Sequence, residues 1–232
     1  MAFAYSKEYD YIMFYNAKSG CSTWRSLFLY LHKDELPNGP SNSHHSVRHD
    51  FRLKDNNFNR KKIMVVRNPF SRVVSMYTNK ITNNKDRLLL AHLIKHKLIK
   101  NNKITFRQFV DILYNLKKNN RLNNIDIHIK EQTCYLKPNT EIVHLENFNK
   151  EIIQAYKNIG LDYLVPKIEE FFDKEYFSNK SLKDESRNFV GDKLFDKRIF
   201  PNYEYFYDED IKNKVIEIYK NDFDSFGYTK KL

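Results

Sequence analysis

The chain has 232 residues, with 40 Lys+Arg against 29 Asp+Glu and a formal net charge of +11. Hydrophobic residues make up 41% and aromatics 15%, too many for a chain that stays unfolded, so a packed core is expected, read here as one domain over residues 1–232. Two cysteines and five glycines exclude a disulfide-dense scaffold, a Cys-rich zinc module and multi-Gly dinucleotide loops. A basic balance favours anionic partners. No stretch approaches the roughly 18 apolar residues of a membrane span. Lys7, Glu8 and Asp10 interrupt the N-terminal stretch where a signal peptide is apolar, so the expectation is a cytoplasmic protein.

In chain order, Asp10–Tyr15 is a short apolar and aromatic run that reads as a strand. A small polar loop follows, Asn16 to Thr23, and then Trp24, Leu27, Phe28 and Leu31 recur at helical spacing. The helix is therefore expected to begin near Ser22 or Thr23. Lys61–Val66 reads as a buried parallel strand that stops at Arg67. Asn68 is a good N-cap and Pro69 occupies the first helical position of a segment carrying Phe70, Val73, Val74, Tyr77 and Ile81. Residues 83–103 are rich in Lys and Asn and read as a basic amphipathic helix, in which His92 and His96 belong to a solvated face. Thr105–Leu116 reads as a helix with Thr105 as cap, and Asn119–Asn124 as a linker. Thr140–Leu145 is a third strand, Asn147–Ile159 a helix stopped by Gly160, and Asp208–Tyr219 a capped helix with acidic residues in its first turn. Alternating strands and helices predict an α/β layer fold with a mainly parallel sheet.

Two junctions carry chemistry. A strand that ends in a small-residue loop and opens a helix presents unpaired backbone N–H groups and a positive helix end to an anion. In the first, Lys18–Ser19–Gly20–Cys21–Ser22–Thr23–Trp24, Lys18 adds a charge and Gly20 lets backbone approach a ligand. The second Gly and closing Lys of a Walker loop are absent, which disfavours ordinary ATP or GTP chemistry. In the second, Arg67 lies just past a strand's C-terminal end, where open α/β sheets bind ligands. Ser75 lies about two turns along the helix on the face of Asn68, Ser71 and Arg72, so Arg67 and Ser75 can converge on one phosphate. The bland alternatives are a plain turn with a surface lysine and a helix cap with a solvated arginine.

Together the motifs resemble those of the PAPS-dependent carbohydrate sulfotransferases, the group of chondroitin and HNK-1 type enzymes and uronosyl 2-O-sulfotransferases. Ala17 to Arg25 is similar to P-K-V-G-C-T-N-W-K-R, with Ala17 in place of the proline. Arg67 to Tyr77 is similar to R-D-P-F-x-R-x-x-S-x-Y, with Asn68 in place of the aspartate. The ending, Asp222–Phe223 and Phe226–Gly227–Tyr228, also resembles the group. The resemblance implies a P-loop-like three-layer fold with a mainly parallel central sheet and flanking helices. It implies that Lys18 and Ser19, Gly20, Cys21, Ser22 and Thr23 hold the 5′-phosphosulfate of PAPS, and that Arg67 and Ser75 hold the 3′-phosphate. Trp24 and a C-terminal segment with Lys183 and Arg187 would meet adenine. The product is PAP.

Sulfuryl transfer needs charge stabilisation on the leaving oxygen, which suits Lys18, and a base for the acceptor hydroxyl, which suits histidine. His44, His45 and His49 cluster between the motifs. In uronosyl 2-O-sulfotransferases a histidine of a similar H-x-H stretch is the base, which ranks His45 first, then His44, then His49. No metal is expected, because the cluster lacks a Cys or carboxylate set, and Cys21 reads as a loop-packing residue. The acceptor is expected to be a carbohydrate, perhaps better described by its charge as an anionic glycan. Residues 83–124 would then be a helical insertion bordering the acceptor cleft, with Lys85, Arg87, Lys95, Lys97, Lys100 and Lys103 drawing in the polyanion. Alternatives are a lipid, small-alcohol or tyrosyl-peptide acceptor, or a basic nucleic-acid-binding protein, although no nucleic-acid reader module is present.

Overall fold

The computed structural model describes residues 3–33, 59–82, 88–99, 103–174, 188–195 and 200–232. They gather into two compact units, Met1–Arg67 with Tyr135–Asn179 and Asn68–Cys134 with Lys180–Leu232. The strands are β1 (Phe3–Ser6), β2 (Tyr11–Tyr15), β3 (Lys61–Val66) and β4 (Glu141–His144). The α-helices are α1 (Cys21–Lys33), α2 (Pro69–Met76), α3 (Leu88–Lys95), α4 (Phe106–Lys118), α5 (Leu122–Ile125), α6 (Phe148–Asn158), α7 (Val165–Asp173), α8 (Glu209–Ile218) and α9 (Lys220–Phe226).

The first unit holds one sheet in the order β1-β2-β3-β4. β1 runs antiparallel to β2, and β2, β3 and β4 are mutually parallel, with Met13 opposite Ile63 and Val65 opposite Val143. Tyr11, Met13, Ile63, Val65 and Val143 pack with Trp24, Leu27 and Phe28 of α1, Ile152 and Tyr156 of α6 and Ile168 of α7. The alternate residues Ile12, Phe14, Met64 and Val66 are equally buried. Burial on both faces explains why β3 is a continuous apolar run instead of an alternating one. Each such side chain contributes roughly 1.5–3 kcal/mol by leaving water. β1 was not expected: four residues beside Lys7 and Glu8 are too short for a pattern. It is joined to β2 through a turn in which Ser6 Oγ accepts from Tyr9 N at 3.1 Å and Asp10 has φ 48°.

The second unit is helical. Asn68 Oδ1 accepts from Phe70 N at 2.9 Å, so the expected cap and Pro69 open α2. The helix continues as a π-helical turn over Tyr77–Ile81. Thr105 and Gln108 form a reciprocal capping box on α4, and Asp208 caps α8 by accepting from Ile211 N. Leu89, Leu93, Phe106, Phe109, Leu113, Ile211, Val215 and Phe223 share one core with Phe70 and Val73 of α2.

One expectation is corrected here. Asn119–Asn124 is no linker: Asn120 turns the chain at φ 54°, α5 starts at once, and Leu122 is buried in this core. The chain passes between the units instead at Arg67/Asn68, Cys134/Tyr135 and Asn179/Lys180, none of them rich in Gly or Pro. The described part of residues 83–124 supplies α3, α4 and α5 to the core.

Candidate active site

In the first unit, β2 runs into the loop that opens α1. Asn16 is fully buried at the base of this loop. Its Nδ2 donates to Val65 O at 3.3 Å, tying the loop to the end of β3, and its own carbonyl accepts from Ser19 N at 3.2 Å. Lys18 and Gly20 both take left-handed backbone, at φ 69° and 68°. For a lysine this costs about 1–2 kcal/mol, strain of a kind that gathers at functional loops. At Gly20 the constraint is double, since an added Cβ would lie 2.3 Å from Leu145 Cδ1.

Trp24 N donates to Gly20 O at 3.2 Å, the bond that starts α1. The N–H groups of Cys21, Ser22 and Thr23 therefore precede the first intrahelical bond, at the positive end of a 13-residue helix. These three residues, with Lys18 and Gly20, are half-buried, while Ser19 is enclosed. Cys21 packs at the edge of the core, as expected. Trp24 lies wholly inside that core, its ring edge-on to Phe28 at 6.3 Å.

Arg67 follows the last residue of β3, in the same unit. Its guanidinium donates from Nη1 to the carbonyl of Lys18 at 3.2 Å. Two motifs far apart in sequence thus place their cations at one loop.

In the second unit, α2 carries the rest of the second motif. Ser71 Oγ donates to Asn68 O at 3.2 Å. Ser75 is half-buried, and its hydroxyl makes no hydrogen bond among the described residues. Arg72 departs from the face it shares with them in sequence. Its side chain is fully buried, donates from Nη2 to the carbonyls of Lys130 at 2.8 Å and His128 at 3.3 Å, and lies 3.8 Å from Asp222.

A cluster that sequence reasoning missed lies in the same unit. Asp126 receives Nδ1 of His128 on Oδ1 and Nδ1 of His92 on Oδ2, each at 2.6 Å. Burial pushes Asp126 up, but the hydrogen bonds from His128 and His92 outweigh it and hold the carboxyl below the usual range. His92 is therefore a structural partner and not part of a solvated face, whereas His96 is exposed. The only sequence signal was the spacing Asp126–Ile127–His128, which marks no known motif.

His44, His45 and His49 lie outside the described residues, as do Lys183, Arg187, Lys85, Arg87 and Lys100. Among the described residues no group of His, Cys, Asp and Glu side chains could hold a metal ion, and no helix is long and apolar enough to cross a membrane.

Residues 1–229 match the family model described as Sulfotransferase family. No curated protein and no solved structure matches the chain.

Proposed function

The chain belongs to the sulfotransferase family, and from that premise we propose that it transfers a sulfuryl group from PAPS to a hydroxyl of a carbohydrate. The observation that carries the donor half of this reading is the hydrogen bond from Arg67 to the Lys18 carbonyl. It sets a guanidinium against a loop that already offers backbone N–H groups, a lysine and a helix N-terminus, a donor set suited to a compact polyanion. The buried sheet with α1 against it supports a P-loop-like three-layer arrangement.

PAPS supplies the activated sulfuryl group when bound. On this reading Lys18 and the N–H groups from Ser19 to Thr23 grip the 5′-phosphosulfate, and Lys18 stabilises charge that grows on the leaving phosphate oxygen. Arg67 and Ser75 hold the 3′-phosphate, a role taken from the motif. Catalysis is then largely positioning and charge stabilisation, with a histidine receiving the acceptor proton. On sequence alone His45 leads, followed by His44 and His49.

Calorimetry with PAP tests the donor site. Arg67→Ala should weaken binding by about 1.5–3 kcal/mol, the scale of a lost charged hydrogen-bond partner. Equal affinity in wild type and variant would remove Arg67 from the site.

For the acceptor we propose an anionic glycan drawn to the basic stretch that includes Lys95 and Lys97. Both are exposed, and neither forms an ion pair among the described residues. Transfer rates with labelled PAPS across a glycan panel should favour acidic acceptors. Neutralising Lys95 and Lys97 should raise the acceptor KM while PAP affinity stays put, and the effect should fade with salt because the screening length is only about 8 Å at physiological ionic strength. A neutral best acceptor, or a variant with unchanged KM, would reduce this stretch to a solvated face.

A further inference from the structure

We propose that His128, oriented by Asp126, is the imidazole that takes the proton from the acceptor hydroxyl. The proposal rests on the sulfotransferase reading and assigns its base from the structure instead of from sequence ranking.

The first argument is the state of the ring. An ionised carboxylate only accepts hydrogen bonds, so both imidazole Nδ1 atoms at Asp126 must be donors. That fixes His128 as the Nδ1–H tautomer and leaves Nε2 as its basic nitrogen. Nε2 makes no hydrogen bond among the described residues. The carboxylate also stabilises the imidazolium that would form, the part a buried aspartate plays in a Ser-His-Asp triad. The side chain of His128 is 14% exposed and that of Asp126 only 4%. The orienting group is therefore buried while the ring it orients still meets the surface.

The second argument is how firmly the irregular segment bearing His128 is held. Arg72 takes the carbonyls of His128 and Lys130. Tyr219 Oη donates to Ile129 O at 2.9 Å. Asp222 accepts from the backbone N–H groups of Gln132 and Thr133 at 2.9 and 3.0 Å. Asp126 Oδ1 accepts from His128 N at 2.8 Å, and Asn123 Oδ1 from Glu131 N at 2.9 Å. Satisfying buried backbone explains part of this. It does not require a carboxylate shared by two imidazoles at the head of the segment. Support of this density is what a functional side chain needs to hold one geometry.

The third argument is position in the motif. Arg72, which grips the carbonyl of His128, belongs to α2 one turn before Ser75, so the segment is built onto the helix that carries the second motif. Groups facing His128 come from three elements: Asp126 from its own segment, His92 from α3 through that carboxylate, and Arg72 from α2. Because His92 shares the carboxylate yet is 44% exposed, it serves as a second brace.

In the step, the acceptor O–H bond breaks and its proton passes to Nε2 of His128. The acceptor oxygen forms the new O–S bond, the S–O bond to the donor phosphate breaks, and that electron pair leaves on PAP.

The test uses the full chain with labelled PAPS and the best acceptor of the panel, beside PAP calorimetry. His128→Gln should lower turnover by about 10²–10⁴ with PAP affinity unchanged. Asp126→Asn should lower turnover and move the acid limb of the kcat/KM profile to lower pH, because the imidazolium loses its counter-charge; a merely structural role would leave the limb in place. His128→Gln at wild-type turnover overturns the proposal, as does loss of turnover in His45→Ala while His128→Gln keeps it. Should the variants misfold, imidazole ¹⁵N shifts of the wild type decide: an Nε2–H tautomer of His128 at neutral pH overturns the assignment. A wild-type protein that neither binds PAP nor transfers sulfate overturns the sulfotransferase reading itself, and this proposal with it.

Discussion

Asp222 offers the sharpest test of how the second unit is held together. Its side chain is fully buried and serves four donors: Gln132 N at 2.9 Å, Thr133 N at 3.0 Å, Thr133 Oγ1 at 3.2 Å and the Arg72 guanidinium at 3.8 Å. Burial pushes its carboxyl up, against the pull of Arg72 and the two amides. The pair therefore contributes placement more than net stability, yet removing one member is costly. Asp222→Ala leaves a buried guanidinium without its counter-charge and two amides without acceptors. Breaking a buried pair costs about 3–5 kcal/mol, a large part of a typical folding free energy of roughly 5–15 kcal/mol. Asp222→Asn keeps an acceptor oxygen but not the charge, and should cost about 1.5–3 kcal/mol. The double change Arg72→Met with Asp222→Leu should not recover wild-type stability, because the carbonyls of residues 128 and 130 and the amides of 132 and 133 lose their partners too. Urea unfolding with an unchanged m-value reads all three. The reasoning is refuted if Asp222→Ala stays within about 1 kcal/mol of wild type, or if the double variant regains full stability, since water would then be satisfying the segment.

Two further outcomes are expected. Gly20→Ala combines left-handed backbone with a 2.3 Å approach to Leu145 and should cost about 1–2 kcal/mol in a thermal melt while weakening PAP binding in calorimetry; an unchanged melt would mean that the loop relaxes freely. The carboxyl of Asp126 is held low in the fold, so its contribution is present above the unfolded value of about 3.9 and is lost as pH falls through the folded value. Stability against urea should therefore drop across that acid window in wild type and less steeply in Asp126→Asn; parallel curves would contradict the hydrogen bonds from His92 and His128.

What was legible in the sequence was what is local. β2, β3 and β4, the Asn68 cap with Pro69, the Thr105 cap and the stop at Gly160 each depend on a few adjacent residues, and the structure bears them out. The Lys18 loop was legible because a small-residue stretch between an apolar run and a helical period has few other uses. The missed features are pairings between distant positions. Nothing near Asp126 announces His92, and nothing near Arg72 announces Asp222. Asn119–Asn124 misled because polar composition suits both a linker and a tight turn, and only the burial of Leu122 separates the two.

The two arginines of the second motif show why residue type alone could not complete the site. Arg67 and Arg72 stand five residues apart and carry the same group, suited to a phosphate. Arg67 precedes the helix cap, so no helical geometry constrains it; it stays with the first unit and reaches the Lys18 carbonyl. Arg72 sits four residues after the cap, where its backbone N–H already bonds to Asn68 O at 2.9 Å. Its side chain is carried inward to Asp222 and to the carbonyls around His128. A buried guanidinium whose donors go to two carbonyls and a carboxylate is not presented to a ligand, and its influence on transfer must pass through what it holds in place. The spacing of the motif thus encodes two separate tasks: an exposed cation for the donor, and a buried one that builds the segment bearing Asp126 and His128 onto the same helix as Ser75.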